Sequence, residues 1–124
     1  MATEQLGFQI GTETTAASLA TSQFFCVKFT STGFNLCGTA GEPVTGILQN
    51  KPGSGVVADV MTLGVTKAIA STAITKGAKL MTDSAGKVIT AATTGSTVIG
   101  WALEAAAATD EVITIYFGGC VGIV

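Results

Sequence analysis

Few residues in this chain could do chemistry. It has no histidine, and its six basic residues are all lysine, at positions 28, 51, 67, 76, 79 and 87, which leaves no arginine. General acid–base work near neutral pH most often uses histidine, and phosphoryl or carboxylate substrates are usually clamped by arginine. The carboxylates Glu42, Asp59, Asp83, Glu104, Asp110 and Glu111 remain. Asp83 is explained by a turn and Glu104 by a strand end. Asp110 and Glu111 are adjacent, so in a strand they point to opposite faces and cannot act on one substrate. A serine or cysteine nucleophile would lack a histidine base. Cys26, Cys37 and Cys120 have wide, unrelated spacings with no CxxC pair, and without histidine no mixed zinc site can form. They read as free thiols in a reducing compartment, with a Cys26 to Cys37 disulfide across a hairpin as the alternative. The expectation is a protein that is not an enzyme, with no catalytic residue, no metal and no cofactor.

The glycine motifs do not alter this. Gly53-x-Gly55 lacks the third glycine of a dinucleotide loop, since Ala58 stands there, and no helix follows. Gly86-Lys87 fails the phosphate-loop pattern because Val88 holds the Ser/Thr position and Met81 the first glycine position.

The elements that carry these residues are short. From Gly77 to Phe117, apolar runs (LMT, KVIT, VIGWALE, EVITIYF) alternate with turn signals and read as a β-meander. In Asp83-Ser84-Ala85-Gly86 the aspartate opens a type I turn and the glycine supplies a positive φ. Alternation puts Ile99, Trp101 and Leu103 on one face, and Ile113, Ile115 and Phe117 on one face of the next strand. Upstream, Phe24–Thr30 is a strand, Thr32-Gly33 a tight turn into Phe34–Cys37, and Val44–Gln49 a strand in which Gly46 marks a bulge or a close backbone approach. Asn50 to Gly55 is a turn. Val56–Leu63 and Val65–Ala70 are strands joined near Gly64. Asp59 points to solvent or is held at a subunit contact. Residues 105–110 form a loop or one helical turn.

Residues 1–23 show no sustained period, although Leu6, Phe8 and Ile10 alternate. They read either as an extended arm that pairs with a partner's sheet edge through these three residues, or as an edge strand and loop of the same domain. Residues 24–118 make the domain proper, and 119–124 a glycine-rich tail that docks on a neighbour. Trp101 either plugs the protomer core or, with Tyr116, forms a subunit contact, where aromatic anchors are enriched.

Composition narrows the partners. With 124 residues the chain supports one domain, but aromatics are only 6% and small side chains bury little area each, so an isolated subunit is weakly held. A mean hydropathy of +0.58 with 11% charged residues leaves surplus apolar surface to cover. No unbroken run of about 18 apolar residues exists, so a membrane is not the expected cover. The start, MATEQLGFQIG, carries Glu4 where a secretory signal has Lys or Arg. A net charge of −2 without arginine is unsuited to nucleic acid. Burial against protein chains remains, including copies of this one.

The order GILQNKPGSG, a valine-rich strand, GVTKAIAS, ITKGAKLMTDSAGKV and VIGWALEAA, then a short closing strand, resembles the small capsid-cement or head-decoration proteins of tailed bacteriophages over about residues 44 to 117. The resemblance implies a compact all-β domain, barrel-like or β-tulip-like. Such a domain is commonly a trimer on the outer surface of the assembled capsid in the virion, made in the host cytoplasm, where it braces neighbouring major capsid subunits. A self-assembling fibre or tail component is the alternative.

Overall fold

The computed structural model describes residues 7–124, and nine strands with no helix are found among them. They are β1 (Phe8–Ile10), β2 (Cys26–Thr30), β3 (Gly33–Leu36), β4 (Gly46–Leu48), β5 (Val60–Ile69), β6 (Lys79–Thr82), β7 (Val88–Thr90), β8 (Thr97–Ala102) and β9 (Val112–Ile123). All strand pairs are antiparallel, in the order β3-β2-β4-β5-β9-β8-β6-β7, with β1 added to β5.

β5 organises the sheet. It is one strand of ten residues, not two, because Gly64 takes a φ of +140° without ending it. Its first part pairs with β4 and β1 (Met61 with Ile47 and Gln9), and its second part with β9 from Gly64↔Phe117 to Ile69↔Val112. The sheet then curls. Ala70 bridges Val88 in parallel and the Ser71 N–H donates to the Val88 carbonyl at 2.9 Å, so the far edge returns to the end of β5. The result is a small all-β domain built on one curled antiparallel sheet.

Two cores form, and strands β2 and β4 separate them. The larger holds Cys26, Ile47, Leu80, Ile99, Ile113, Ile115 and Phe117, and the smaller Leu19, Val27, Phe34, Leu48, Ala58 and Val60. Cys26 and Val27, like Ile47 and Leu48, are neighbours whose side chains enter opposite cores, so these strands are buried on both faces. Each fully buried Ile or Phe side chain stabilises the fold by about 1.5–3 kcal/mol. Gly46 is dictated by this layering: a Cβ there would stand 2.3 Å from Val60 Cγ1 and 2.5 Å from the Met61 carbonyl oxygen.

The described part of the N-terminal arm, residues 7–23, lies along the domain. Strand β1 pairs with β5, Thr14 bridges Val57, Thr15 bridges Phe34, and Leu19 is buried in the smaller core with Ile10 packed against it. At the other end, the residues expected as a tail continue β9, and Thr97↔Ile123 and Val98↔Gly122 pair with β8. The register with β8 then jumps to Gly100↔Phe117, leaving Gly118 to Val121 bulged, with Gly119 at φ +78°. The glycines that argued against a strand are what the bulge requires.

Candidate interaction surface

Strand register sets which side chains face outward on the curled sheet. In β9, Ile113, Ile115 and Phe117 are fully buried, while Val112 is exposed and Tyr116 half-buried. Register carries the outer row across four strands, Val65 to Tyr116 to Trp101 to Lys79. Trp101 and Tyr116 stack in this row, ring centroids 5.9 Å apart at 26°. Trp101 is therefore an outer-face residue, half-buried like Tyr116, and not the plug of the core; Phe117 and Ile115 have that place. Leu103 is exposed and Ile99 buried, so these three do not share one face as alternation implied; the bulge beside Ile99 breaks the period.

Of the arm residues, Phe8 is 71% exposed and lies in register with Leu63, itself 37% exposed. Ile10 packs on the smaller core, and Leu6 lies outside the described residues. Further exposed apolar side chains are Phe29, Val56, Val57, Val112, Val121 and Ile123, the last at 63%. Phe29 meets Phe34 edge-on at 5.0 Å.

Four carboxylates, Glu42, Asp83, Glu104 and Glu111, accept hydrogen bonds from nearby loops and strands. Glu42 Oε2 accepts the N–H groups of Gly38 and Thr39, both at 2.8 Å, and Oε1 takes Lys28 Nζ at 3.1 Å. Burial pushes the Glu42 carboxyl up, but the Thr39 N–H, the Lys28 ammonium and the Gly38 N–H outweigh it and hold the pKa below the ordinary glutamate value. Asp83 Oδ1 accepts the Ala85 and Lys87 N–H groups, and Gly86 has φ +85°, the turn read from the sequence. Glu111 Oε2 accepts the N–H groups of Ala107 and Ala108, and Glu104 Oε1 accepts the Thr114 backbone N–H and hydroxyl O–H. Asp59 is exposed. Among the described residues no three His, Cys, Asp or Glu side chains converge to hold a metal ion.

Cys26 and Cys37 are both buried, free and opposite one another, with the Cys37 N–H donating to the Cys26 carbonyl at 3.1 Å. Burial, reinforced by its Cys37 neighbour, raises the Cys26 pKa far above the usual thiol range. Burial and the Glu42 carboxylate push Cys37 up to about 12, with Lys28 opposing. Neither is a nucleophile near neutral pH. Cys120 sits exposed in the β9 bulge.

One open cleft of about 500 Å³ lies where the two parts of the sheet meet, lined by Gln23, Phe25, Lys51, Ile69, Lys87 and Asp110 among others. Lys87 is paired with Asp110. The two non-glycine residues with positive φ, Phe24 (69°) and Asp110 (66°), are at this cleft or next to it. For a bulky residue such as Phe24 that conformation costs about 1–3 kcal/mol. It is held by the Phe24 N–H to the Leu48 carbonyl at 2.7 Å and by Lys67 Nζ, 5.5 Å from the ring centre. The sequence carries no signal for this grouping, because Lys51, Lys87 and Asp110 come together only through the closure of the sheet.

The described residues thus form a small all-β domain whose loops are tied by carboxylates and whose surface carries many exposed apolar side chains. The family model described as phage cement protein matches residues 5–117, nearly the whole chain, and the chain belongs to that family. It is accordingly a structural component of a phage virion, as the resemblance implied. Among solved structures, the head fiber gp8.5 N base of bacteriophage phi29 is similar in fold, with a TM-score of 0.67 at 12% identity over 93% of this chain and 99% of that one. Comparison with curated protein sequences gave no match.

Proposed function

We propose that this protein binds the outer surface of the assembled capsid as a trimer and braces neighbouring major capsid subunits against the pressure of packaged DNA. The observation that carries the reading is membership of the cement family in a chain with so many large apolar side chains exposed, Phe8 and Ile123 foremost. Phe8 and Leu63 form an apolar ridge suited to a capsid contact and Ile10 anchors that ridge from below; Leu6, outside the described residues, is assigned to the same contact. Because the β1 backbone already pairs with β5, the contact is made by side chains. The stacked Trp101 and Tyr116 on the outer face are suited to the subunit contact of the trimer. Three weak contacts per trimer add through high effective concentration, and bound protein favours the intact shell by mass action.

Sedimentation with assembled shells of the same phage tests this. The purified protein should pellet with shells and sediment as a trimer alone, and Phe8→Asp should weaken pelleting at least tenfold. Protein that stays in the supernatant at micromolar concentration would overturn the reading. The fold likeness to a head-fibre base favours a second reading, a fibre component that assembles on itself. Tubes or fibres in micrographs of the pure protein would support it, and discrete particles would not.

A further inference from the structure

We infer that the cleft between the two parts of the sheet is a docking site for an acidic segment of the major capsid protein, an extended stretch whose carboxylate meets Lys51 beside an apolar neighbour. The inference rests on the capsid-binding reading and specifies where one contact is made. Three features carry it.

Charge comes first. Lys51 and Lys87 line the cleft with one carboxylate, Asp110, which is paired with Lys87. Two ammonium groups against one carboxylate leave a single positive charge, at Lys51, in a chain whose net charge is −2. Among the described residues Lys51 makes no ion pair, and neither do Lys67, Lys76 and Lys79, but of these four only Lys51 lines the cleft.

Shape and polarity come second. Phe25 and Ile69, both half-buried, give the cleft an apolar part, and a volume of about 500 Å³ suits a few residues of extended chain rather than a lone ion. A segment with a carboxylate and an apolar side chain side by side matches both halves of this lining.

The third feature is that the lining is fixed in advance. Pro52, next to Lys51, is buried and its carbonyl accepts the Leu19 N–H at 2.9 Å. On the other side, the Asn50 side chain binds the Val57 carbonyl at 3.1 Å and the Asp59 N–H at 3.0 Å. Across the cleft, the Asp110 N–H is tied to the Ala70 carbonyl at 2.7 Å, which keeps its carboxylate on Lys87. A docked segment would therefore meet groups that need little reordering.

The test is co-pelleting of wild type, Lys51→Glu and Lys76→Glu with shells assembled from the major capsid protein of the same phage, at about 50 mM salt. Lys76 is exposed and away from the cleft, so it controls for the charge change. The expected result is at least a tenfold weakening for Lys51→Glu with Lys76→Glu within about twofold of wild type, both variants melting like wild type. Wild-type binding that Lys51→Glu leaves unchanged, or that both variants weaken equally, overturns this site while leaving the capsid reading intact. Failure of wild type itself to pellet removes the capsid reading and the site with it.

Discussion

Phe117 and Trp101 separate the inside of this fold from its outside, and truncating each to alanine should give very different losses. Phe117 is fully buried, and in register it lies between Gly64 on β5 and Gly100 on β8. Neither glycine has a side chain to relax into the space a lost ring leaves. At Gly100 even a Cβ would stand 1.8 Å from the Tyr116 carbonyl oxygen, so these backbones are already in close contact and cannot close further. Phe117→Ala should thus fall at the upper end of the usual 3–5 kcal/mol for a buried Phe. At about 2.1 cal/mol/K per residue, a 124-residue domain unfolds with an entropy of about 0.26 kcal/mol/K, so the melting temperature should drop by roughly 15–20 °C. Trp101 is only partly buried and loses chiefly its stack on Tyr116, about 1 kcal/mol, plus part of its burial, so Trp101→Ala should cost about 1–2 kcal/mol, or roughly 4–8 °C. Thermal melts followed by circular dichroism at two concentrations a hundredfold apart would measure both. The Phe117 loss should not depend on concentration, while any subunit-contact share of the Trp101 effect should grow with it. Equal losses for the two variants would refute the assignment of inner and outer faces.

Two further outcomes follow from the buried groups. Of the three thiols only Cys120 is exposed, so a thiol reagent at neutral pH should label one cysteine per folded chain and three only after denaturation; rapid labelling of two or three in the native protein would contradict the packing of β2. Glu42 has a folded-state pKa below its unfolded value, so its share of the stability is present above the unfolded pKa and is lost as pH falls through the folded one. Urea midpoints of wild type should therefore fall from about pH 5 downward more steeply than those of Glu42→Gln, and parallel curves would show that the loop at Gly38 does not depend on that charge.

Much of the fold was legible where local chemistry decides it. The Asp83 to Gly86 turn is fixed by one side chain and one positive φ, and the burial of Ile113, Ile115 and Phe117 follows from strict alternation. Gly46 announced a close approach, and the Val60 side chain and Met61 carbonyl are what it approaches. The rest depends on partners far along the chain. Phe24–Thr30 is legible as a strand, but not that both its faces are buried, with Cys26 in one core and Val27 in a second core on the far side of β2. That core exists because Leu19 folds back over it, and nothing near Leu19 in sequence signals this. The end of β9 looked too rich in glycine for a strand, since a bulge and a docking tail call for the same residues. Phe8 is exposed, as a contact residue would have to be, while the Lys51 cleft required the closed sheet and had no sequence signature.

The account turns on mechanical reinforcement of a capsid, and heating tests it most directly. DNA-filled particles lacking this protein would be warmed with a DNA-binding dye, with and without the purified protein added back. The added protein should raise the temperature of DNA release by several degrees and saturate at a fixed number of copies per particle. A release temperature unchanged at saturating protein would contradict the account.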